Sequence, residues 1–243
     1  MKTVLINGSP RKNWNTHKLL MEAERGAMEA GSTTEIVHLY DLNYKGCVSC
    51  FACKLKEGKT NGICAIRDDL RPVLERIVAA DALIIGSPIY YKNLTAETLA
   101  FVEKLLFAMM YYEYEENGET DRFLFKNSEG EMDSNMKPVR ALSKTIDCGF
   151  IFTMNATETI AEEVFGNQLK EFGGMVRWYL SGGAYPLTGE GCPIVYSYDT
   201  YQFSDYDQYR VTMFDPVHKT AHRDKQFPID LKNAYELGRN LCL

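Results

Sequence analysis

The chain has 243 residues, 45% hydrophobic and 25% charged, and a formal net charge of −6 at pH 7. That is an ordinary composition for a soluble globular protein, and its acidic balance speaks against nucleic acid as the main partner, because phosphate backbones select a basic face. No apolar run approaches the ~18 residues of a membrane span, the N-terminus lacks a signal-peptide pattern, and seven Cys, an odd number with four close together, fit a reducing cytoplasm better than a secreted disulfide framework.

The first element is a short apolar run, Val4-Leu5-Ile6, which reads as a buried strand. It enters a polar loop, Asn7 to Asn13, and then a helical pattern from Asn15 to Gly31, with Leu19, Leu20, Ala23, Ala27 and Met28 at helical spacing. Thr34–Tyr40 reads as a second strand, closing a β-α-β unit. Tyr40 to Arg67 has no clean period and holds four Cys. Asp68 or Asp69 is expected to cap a second helix, with Pro72 in its first turn and Leu70, Val73, Leu74, Ile77 and Val78 on one face.

Ala82–Gly86 is a third strand, apolar throughout as a doubly covered parallel strand should be. It leads into Ser87-Pro88-Ile89-Tyr90-Tyr91 and a helix capped by Thr95 that runs to about Met110. That helix is apolar nearly all round, so it is expected to be buried on two sides, against the sheet and against either a second subunit or the chain's own insertions. Tyr111 to Ser143 is polar and acidic, and the run Glu113–Glu119 reads as a solvated flap. Cys148–Met154 is the fourth strand, Thr157 caps a helix over Glu158–Phe172 that ends at Gly173-Gly174, and Met175–Leu180 reads as the fifth strand. Ser181 to Pro228 looks irregular, and Ile229–Leu243 closes the chain as an amphipathic helix.

These elements predict an α/β fold. It is a doubly wound five-stranded parallel sheet of order 2-1-3-4-5 with helices on both faces. No linker separates two cores, so one domain, 1–243, is expected, with insertions at about 40–67, 111–146 and 181–228. Ligands of such sheets sit beyond the carboxyl ends of the strands, which singles out three loops. The first has a single Gly where a dinucleotide fingerprint needs three. With Ser9, Arg11, Lys12, Asn15 and Thr16 ahead of a helix N-terminus it suits one phosphate, hence a mononucleotide. The second, Pro88, Ile89, Tyr90 and Tyr91, offers aromatics to flank a planar ring or to pack as ordinary half-buried residues. The third, Asn155 and its neighbours, offers backbone N–H groups and an amide.

The motifs GSPRKNWNT, GSPIYY and CVSCFAC together resemble the flavodoxin-like NADPH-dependent FMN reductases, and within them the branch containing the iron–sulfur flavoproteins. The resemblance covers Met1–Lys104, more weakly Ile151–Thr157, and Thr200–Tyr206 is similar to a tail in some members from anaerobes. It implies that Ser9, Arg11, Asn15 and Thr16 hold the phosphate of FMN. Pro88, Ile89, Tyr90, Tyr91 and Asn155 would line the ring and ribityl chain. It also implies that FMN takes a hydride from NAD(P)H and hands electrons to an acceptor, with no acid–base residue named as catalytic; the two-sided apolar helix adds the expectation of a homodimer or higher homo-oligomer.

Cys47, Cys50 and Cys53 are spaced C-x-x-C-x-x-C, and Cys64 follows. Four thiolates suit a [4Fe–4S] cluster or a zinc ion. The gap before Cys64 is longer than in the iron–sulfur flavoproteins, and the reading that metal-free reduced thiols pack there is favoured, with a Cys47–Cys50 redox pair as its variant. The rival functions are therefore an iron–sulfur flavoprotein electron carrier and a non-redox ligand-binding module. His218 and His222 lie four apart in a charged stretch and read as a solvated helix face. The Tyr-rich stretch Tyr196, Tyr198, Tyr201, Phe203, Tyr206 and Tyr209 either closes over a flavin, in the same or the partner subunit, or packs the insertion.

Overall fold

The computed structural model describes residues 1–58, 60–111 and 140–243. The acidic run Glu113–Glu119 and most of the 111–146 insertion lie outside the described residues. Among the described residues there are six strands: β1 (Lys2–Asn7), β2 (Thr33–His38), β3 (Ala82–Tyr90), β4 (Asn93–Leu94), β5 (Asp147–Thr153) and β6 (Ile194–Ser197). The helices are α1 (Asn15–Glu29), α2 (Arg71–Val78), α3 (Ala96–Met109), α4 (Glu158–Phe165), α5 (Gln168–Ser181) and α6 (Pro216–Asn240).

The sheet order is β2-β1-β3-β5-β6, all parallel, with β4 pairing antiparallel to the end of β3. Setting the two-residue β4 aside, this is the expected order. Alternation along the strands sends side chains to two cores. Val4, Ile6, Leu83, Ile85, Phe150 and Phe152 face the side covered by α2, α3 and α5. Leu5, Ile84, Ile151 and Val195 face α1 and α6. The cap of α3 is as expected, since Thr95 Oγ1 accepts from Thr98 N.

Several expectations are corrected. Met175–Leu180 is not a strand but the second half of α5. Leu169, Val176 and Leu180 are buried at helical spacing, so the apolar run continues a helix face. The Gly173-Gly174 pair does not end a helix. A Cβ on Gly174 would lie 2.3 Å from Gly189 N, so the pair lets α5 approach the 187–189 turn. The break falls instead at Gly166, at φ 52. The fifth parallel strand is Ile194–Ser197, whose four residues are too few to show a period. α6 begins at Pro216, capped by Asp215, rather than near Ile229. It carries Pro228 inside it. Neither Asp68 nor Asp69 caps α2: Asp68 pairs with Lys104, and Asp69 accepts from Asn43 N. Met28 is exposed rather than part of the face of α1.

The second apolar face of α3 is covered by the chain's own 44–66 segment. Tyr44 Oη donates to Glu97 O, Cys47 N donates to Glu103, and Phe51 packs edge-on against Phe107. This burial needs no second subunit.

α6 packs along α1 at glycine contacts on both helices. A Cβ on Gly238 would lie 1.8 Å from Ala23 O, and one on Gly26 2.0 Å from Tyr235 O. In an open helix, Gly→Ala stabilises by about 0.5–1 kcal/mol. At this crossing Gly238→Ala is expected to reverse that sign and cost about 1–3 kcal/mol by overpacking. The midpoint of urea unfolding checks it; an unchanged or raised midpoint would contradict the packing.

Candidate functional site

β1 ends at Asn7, whose Oδ1 accepts from Ser9 N at 2.9 Å. Ser9 Oγ then accepts from Arg11 N at 3.1 Å, which turns the chain toward α1. Gly8 ties the loop to its neighbours. Its N–H donates to Gly86 O at 2.8 Å, and its carbonyl accepts from Thr95 Oγ1 at 2.8 Å. The residue before α1 is Trp14, and no side chain caps the helix. The N–H groups of its first turn and the positive end of its dipole are thus left for an anion.

Opposite this loop stand the ends of β3 and β5. Thr16 Oγ1 and Thr153 Oγ1 share a hydrogen bond of 2.8 Å across the gap. Together these segments enclose a cavity of about 170 Å³ at the carboxyl edge of the sheet. Ser9, Arg11, Asn15, Thr16, Pro88, Ile89, Tyr90 and Asn155 all line it. Tyr91 does not. It and Lys92 occupy a two-residue hairpin between β3 and β4 with φ 49 and 71, the left-handed pair such a turn requires. That places Tyr91 at the tip, fully exposed.

The sequence reading left Tyr201 open between closing over a flavin and packing the insertion, and missed that Thr200-Tyr201-Gln202 forms the fourth wall. The carbonyl of Tyr201 accepts from Trp14 Nε1 at 3.0 Å and Asn15 Nδ2 at 2.9 Å, and that of Gln202 from Arg11. Arg11 and Asn15 keep further N–H groups, since a guanidinium has five and an amide two, whereas the single indole N–H of Trp14 is used. It also missed two cations of α6. Arg223 donates to Asn15 Oδ1 at 2.8 Å and lies over the rings of Tyr201 and Phe227. Burial pulls its pKa below the ordinary value. The buried Lys219 donates to Asn155 Oδ1 at 2.6 Å and Asn155 O at 3.2 Å, and pairs with Asp199. The available signal was local: Asp215-Pro216 is a helix-start pair, and Lys219, Arg223 and Phe227 recur every fourth residue.

The Tyr-rich stretch divides. Tyr201 joins the cavity, while Tyr196 and Tyr198 stack on each other at 5.6 Å, on the side of α4 and α5. Burial raises the pKa of both to about 12.

Cys47, Cys50, Cys53 and Cys64 line one small pocket with Lys104 and Phe107. Its volume of about 10 Å³ is no more than a water needs. Among the described residues these thiols do not gather to the spacing of a single-ion site, and all are free. Cys53 is buried, which pushes its thiol pKa up. Ser49 and Phe51 between them are left-handed, at φ 52 and 55.

A parallel sheet of order 2-1-3-4-5 flanked by helices on both faces is the flavodoxin-like fold. Residues 1–118 match the family model described as NADPH-dependent FMN reductase, so the resemblance read from the motifs holds over the N-terminal part of the chain. The chain is 36% identical over 104 residues to an iron–sulfur flavoprotein of Methanocaldococcus jannaschii, covering 43% of this chain and 51% of that one. It is 37% identical over 110 residues to an iron–sulfur flavoprotein of Archaeoglobus fulgidus, covering 45% and 51%. It therefore spans about half the length of the curated relatives it matches. Among solved structures, an NAD(P)H:quinone oxidoreductase from Methanothermobacter marburgensis superposes with a TM-score of 0.60 at 18% identity, over 99% of this chain and 98% of that one. An azoreductase from Bacillus anthracis gives 0.56 at 14%, over 98% and 99%. At such identities these two establish the fold. No helix among the described residues is long and apolar enough to cross a membrane.

Asn15 joins the tail to the first loop through both ends of its amide. Asn15→Ala is expected to cost about 1–3 kcal/mol, because a partly buried guanidinium loses its acceptor. It should also expose the Tyr201 region to limited proteolysis. An unchanged unfolding midpoint and cleavage pattern would show that the tail is held elsewhere.

Proposed function

We propose that the chain binds FMN in this cavity and acts as an NAD(P)H-dependent oxidoreductase passing electrons to a small-molecule or protein acceptor, within one flavodoxin-like domain. The observation that carries the reading is the meeting, at one sheet edge, of an uncapped helix start with Ser9, Arg11, Asn15 and Thr16 and of the Pro88–Tyr90 and Asn155 walls. Such donors fit a phosphate monoester. The half-exposed Tyr90 and the apolar Ile89 suit a flat ring reaching solvent at one side. The matching family model, named for FMN and NADPH, supports the same cofactors.

FMN, when bound, supplies hydride acceptance and onward transfer of one or two electrons. The work left to the chain is placement. Ser9 and Arg11 hold the phosphate end, and Pro88 stiffens the wall beside the ring. Lys219 fixes the Asn155 amide and carbonyl, so that their orientation does not depend on solvent. Tyr201 and Gln202 close the side through which water would reach the phosphate. None of these roles moves a proton.

A second reading has its own observation, the convergence of four Cys on one pocket. The donor set suits a [4Fe–4S] cluster, and relatives matching this chain are named iron–sulfur flavoproteins. The pocket as it stands is too small for a cubane, so this reading requires the 47–64 loop to open.

Titrating the flavin-free protein with FMN, followed by absorbance near ~450 nm and bleaching with NADH or NADPH, tests the first reading. Arg11→Glu is expected to weaken FMN binding about ten- to a hundredfold, the loss of a charge-assisted bond. No binding by the wild type, or equal binding by the variant, would sink the assignment. Anaerobic purification giving about four irons per chain would establish the second centre.

A further inference from the structure

On the far side of Lys219 from the cavity, three side chains converge that the flavin reading does not use. Asp199 follows β6 with a left-handed backbone, φ 50, and a buried side chain. α6 presents His218 and His222 one turn apart, on the same face. Asp199 Oδ2 lies 2.9 Å from His218 Nε2 and 3.8 Å from His222 Nδ1. One ligand atom from each of the three lies within 4.8 Å of the other two.

The contact with His222 is the informative one. At 3.8 Å it is too long for a hydrogen bond. The other ring nitrogen, Nε2, is buried with no hydrogen-bond partner. An imidazole nitrogen, Nδ1, turned toward a buried carboxylate oxygen without bonding it is placed so that both could reach one ion set to the side of the line joining them. Ligand atoms at about 2.0–2.2 Å from one tetrahedral ion stand about 3.3–3.5 Å apart. The two distances here, 2.9 and 3.8 Å, straddle that value. The expectation of a merely solvated face fails for His222, which is only 29% exposed, and holds for His218, which is 61% exposed.

We infer that Asp199, His218 and His222 form a site for one divalent first-row transition ion of the zinc class. Two imidazoles and one carboxylate are a normal donor set for such an ion. Water supplies the fourth position from the open side beside His218. The other carboxylate oxygen, Oδ1, is held by Lys219. That ammonium does not depend on Asp199 alone, since it also bonds the carbonyl and amide oxygens of Asn155. It thus serves as the outer partner that orients the ligating carboxylate. The ion would pin α6 to the end of β6, and through Lys219 it would stiffen the Asn155 loop.

The test uses the full chain, stripped with a chelator and titrated with Zn(II) by calorimetry and with Co(II) by absorption. The cysteine pocket can take up metal too, so the readout is the difference between proteins. The wild type should bind one equivalent more than His222→Ala and than Asp199→Asn. The Co(II) bands of that equivalent should lack the ultraviolet thiolate charge transfer. His218→Ala, at an exposed position where folding is not at risk, should lose the same equivalent while its metal-free circular dichroism and urea midpoint match the wild type. Equal stoichiometry in the wild type and the histidine variants, or no binding at tens of micromolar Zn(II), would overturn the site and leave the histidines as ion-pair partners of Asp199.

Discussion

The packing of α6 against α1 is the constraint on which the rest of this structure depends. The two helices touch backbone to backbone, with Gly26 and Gly238 admitting main-chain carbonyls where a methyl would collide. Around that contact, Leu19, Leu20 and Ala23 of α1 meet Ala234 and Leu237 of α6, and Leu241 just past its end, over Leu5, Ile84 and Ile151 of the sheet. A rim of polar bonds fixes the rotation, with Tyr235 Oη donating to Glu29 at 2.6 Å and Arg25 lying over the Tyr235 ring. Once this register is set, a rigid helix of 25 residues carries its first half to the carboxyl edge of the sheet. Lys219 and Arg223 arrive there because of contacts made three to five turns away.

That arrival changes the nature of the cavity. A flavodoxin-type edge is an open rim of loop N–H groups and side-chain donors, which water satisfies when no ligand does. Here the chain supplies part of the lining itself. Tyr201 and Gln202 carbonyls take up one donor each from Trp14, Asn15 and Arg11, and Arg223 takes the free oxygen of Asn15. Every one of these links joins the first sixteen residues to the last forty-five. The first loop is therefore held by the tail as well as by the β-α-β unit, and holding of this kind would reduce the ordering cost for a ligand of the proposed class.

The division between what could and could not be read from the residues follows from the same geometry. The parallel sheet order, the helix start after Trp14, the Thr95 and Thr157 caps and the grouping of Ser9, Arg11, Asn15, Thr16, Pro88, Ile89, Tyr90 and Asn155 rest on local signals: apolar runs, capping residues and the ends of strands. The failures are where a local signal had two solutions. Met175–Leu180 is apolar enough for a strand, and only its phase with Leu169 shows that it continues a helix. Gly173-Gly174 looks like a terminator, and only the approach of Gly189 shows that its task is closeness. Tyr91 belongs to the aromatic pair, yet a two-residue turn sends it outward. The Tyr201–Gln202 wall and the α6 cations were missed for a different reason. Carbonyl acceptors leave no mark in a sequence, and Pro228 disguised the helix that bears Lys219 and Arg223.

α3 is what joins the cavity to the cysteine loop. At its start, Thr95 caps it and donates to the carbonyl of Gly8, inside the anion loop. Along its outer face, Glu103 receives the N–H of Cys47, and Lys104, Phe107 and Ala108 wall the pocket of the four thiols. The buried Lys104 pairs with Asp68, at the end of the same insertion. Burying an ammonium beside neutral thiols would be costly on its own, and the Asp68 carboxylate offsets that cost. One helix thus ties the first loop of the cavity, through Thr95 and Gly8, to the wall of the thiol pocket, so a shift of α3 would be felt at both.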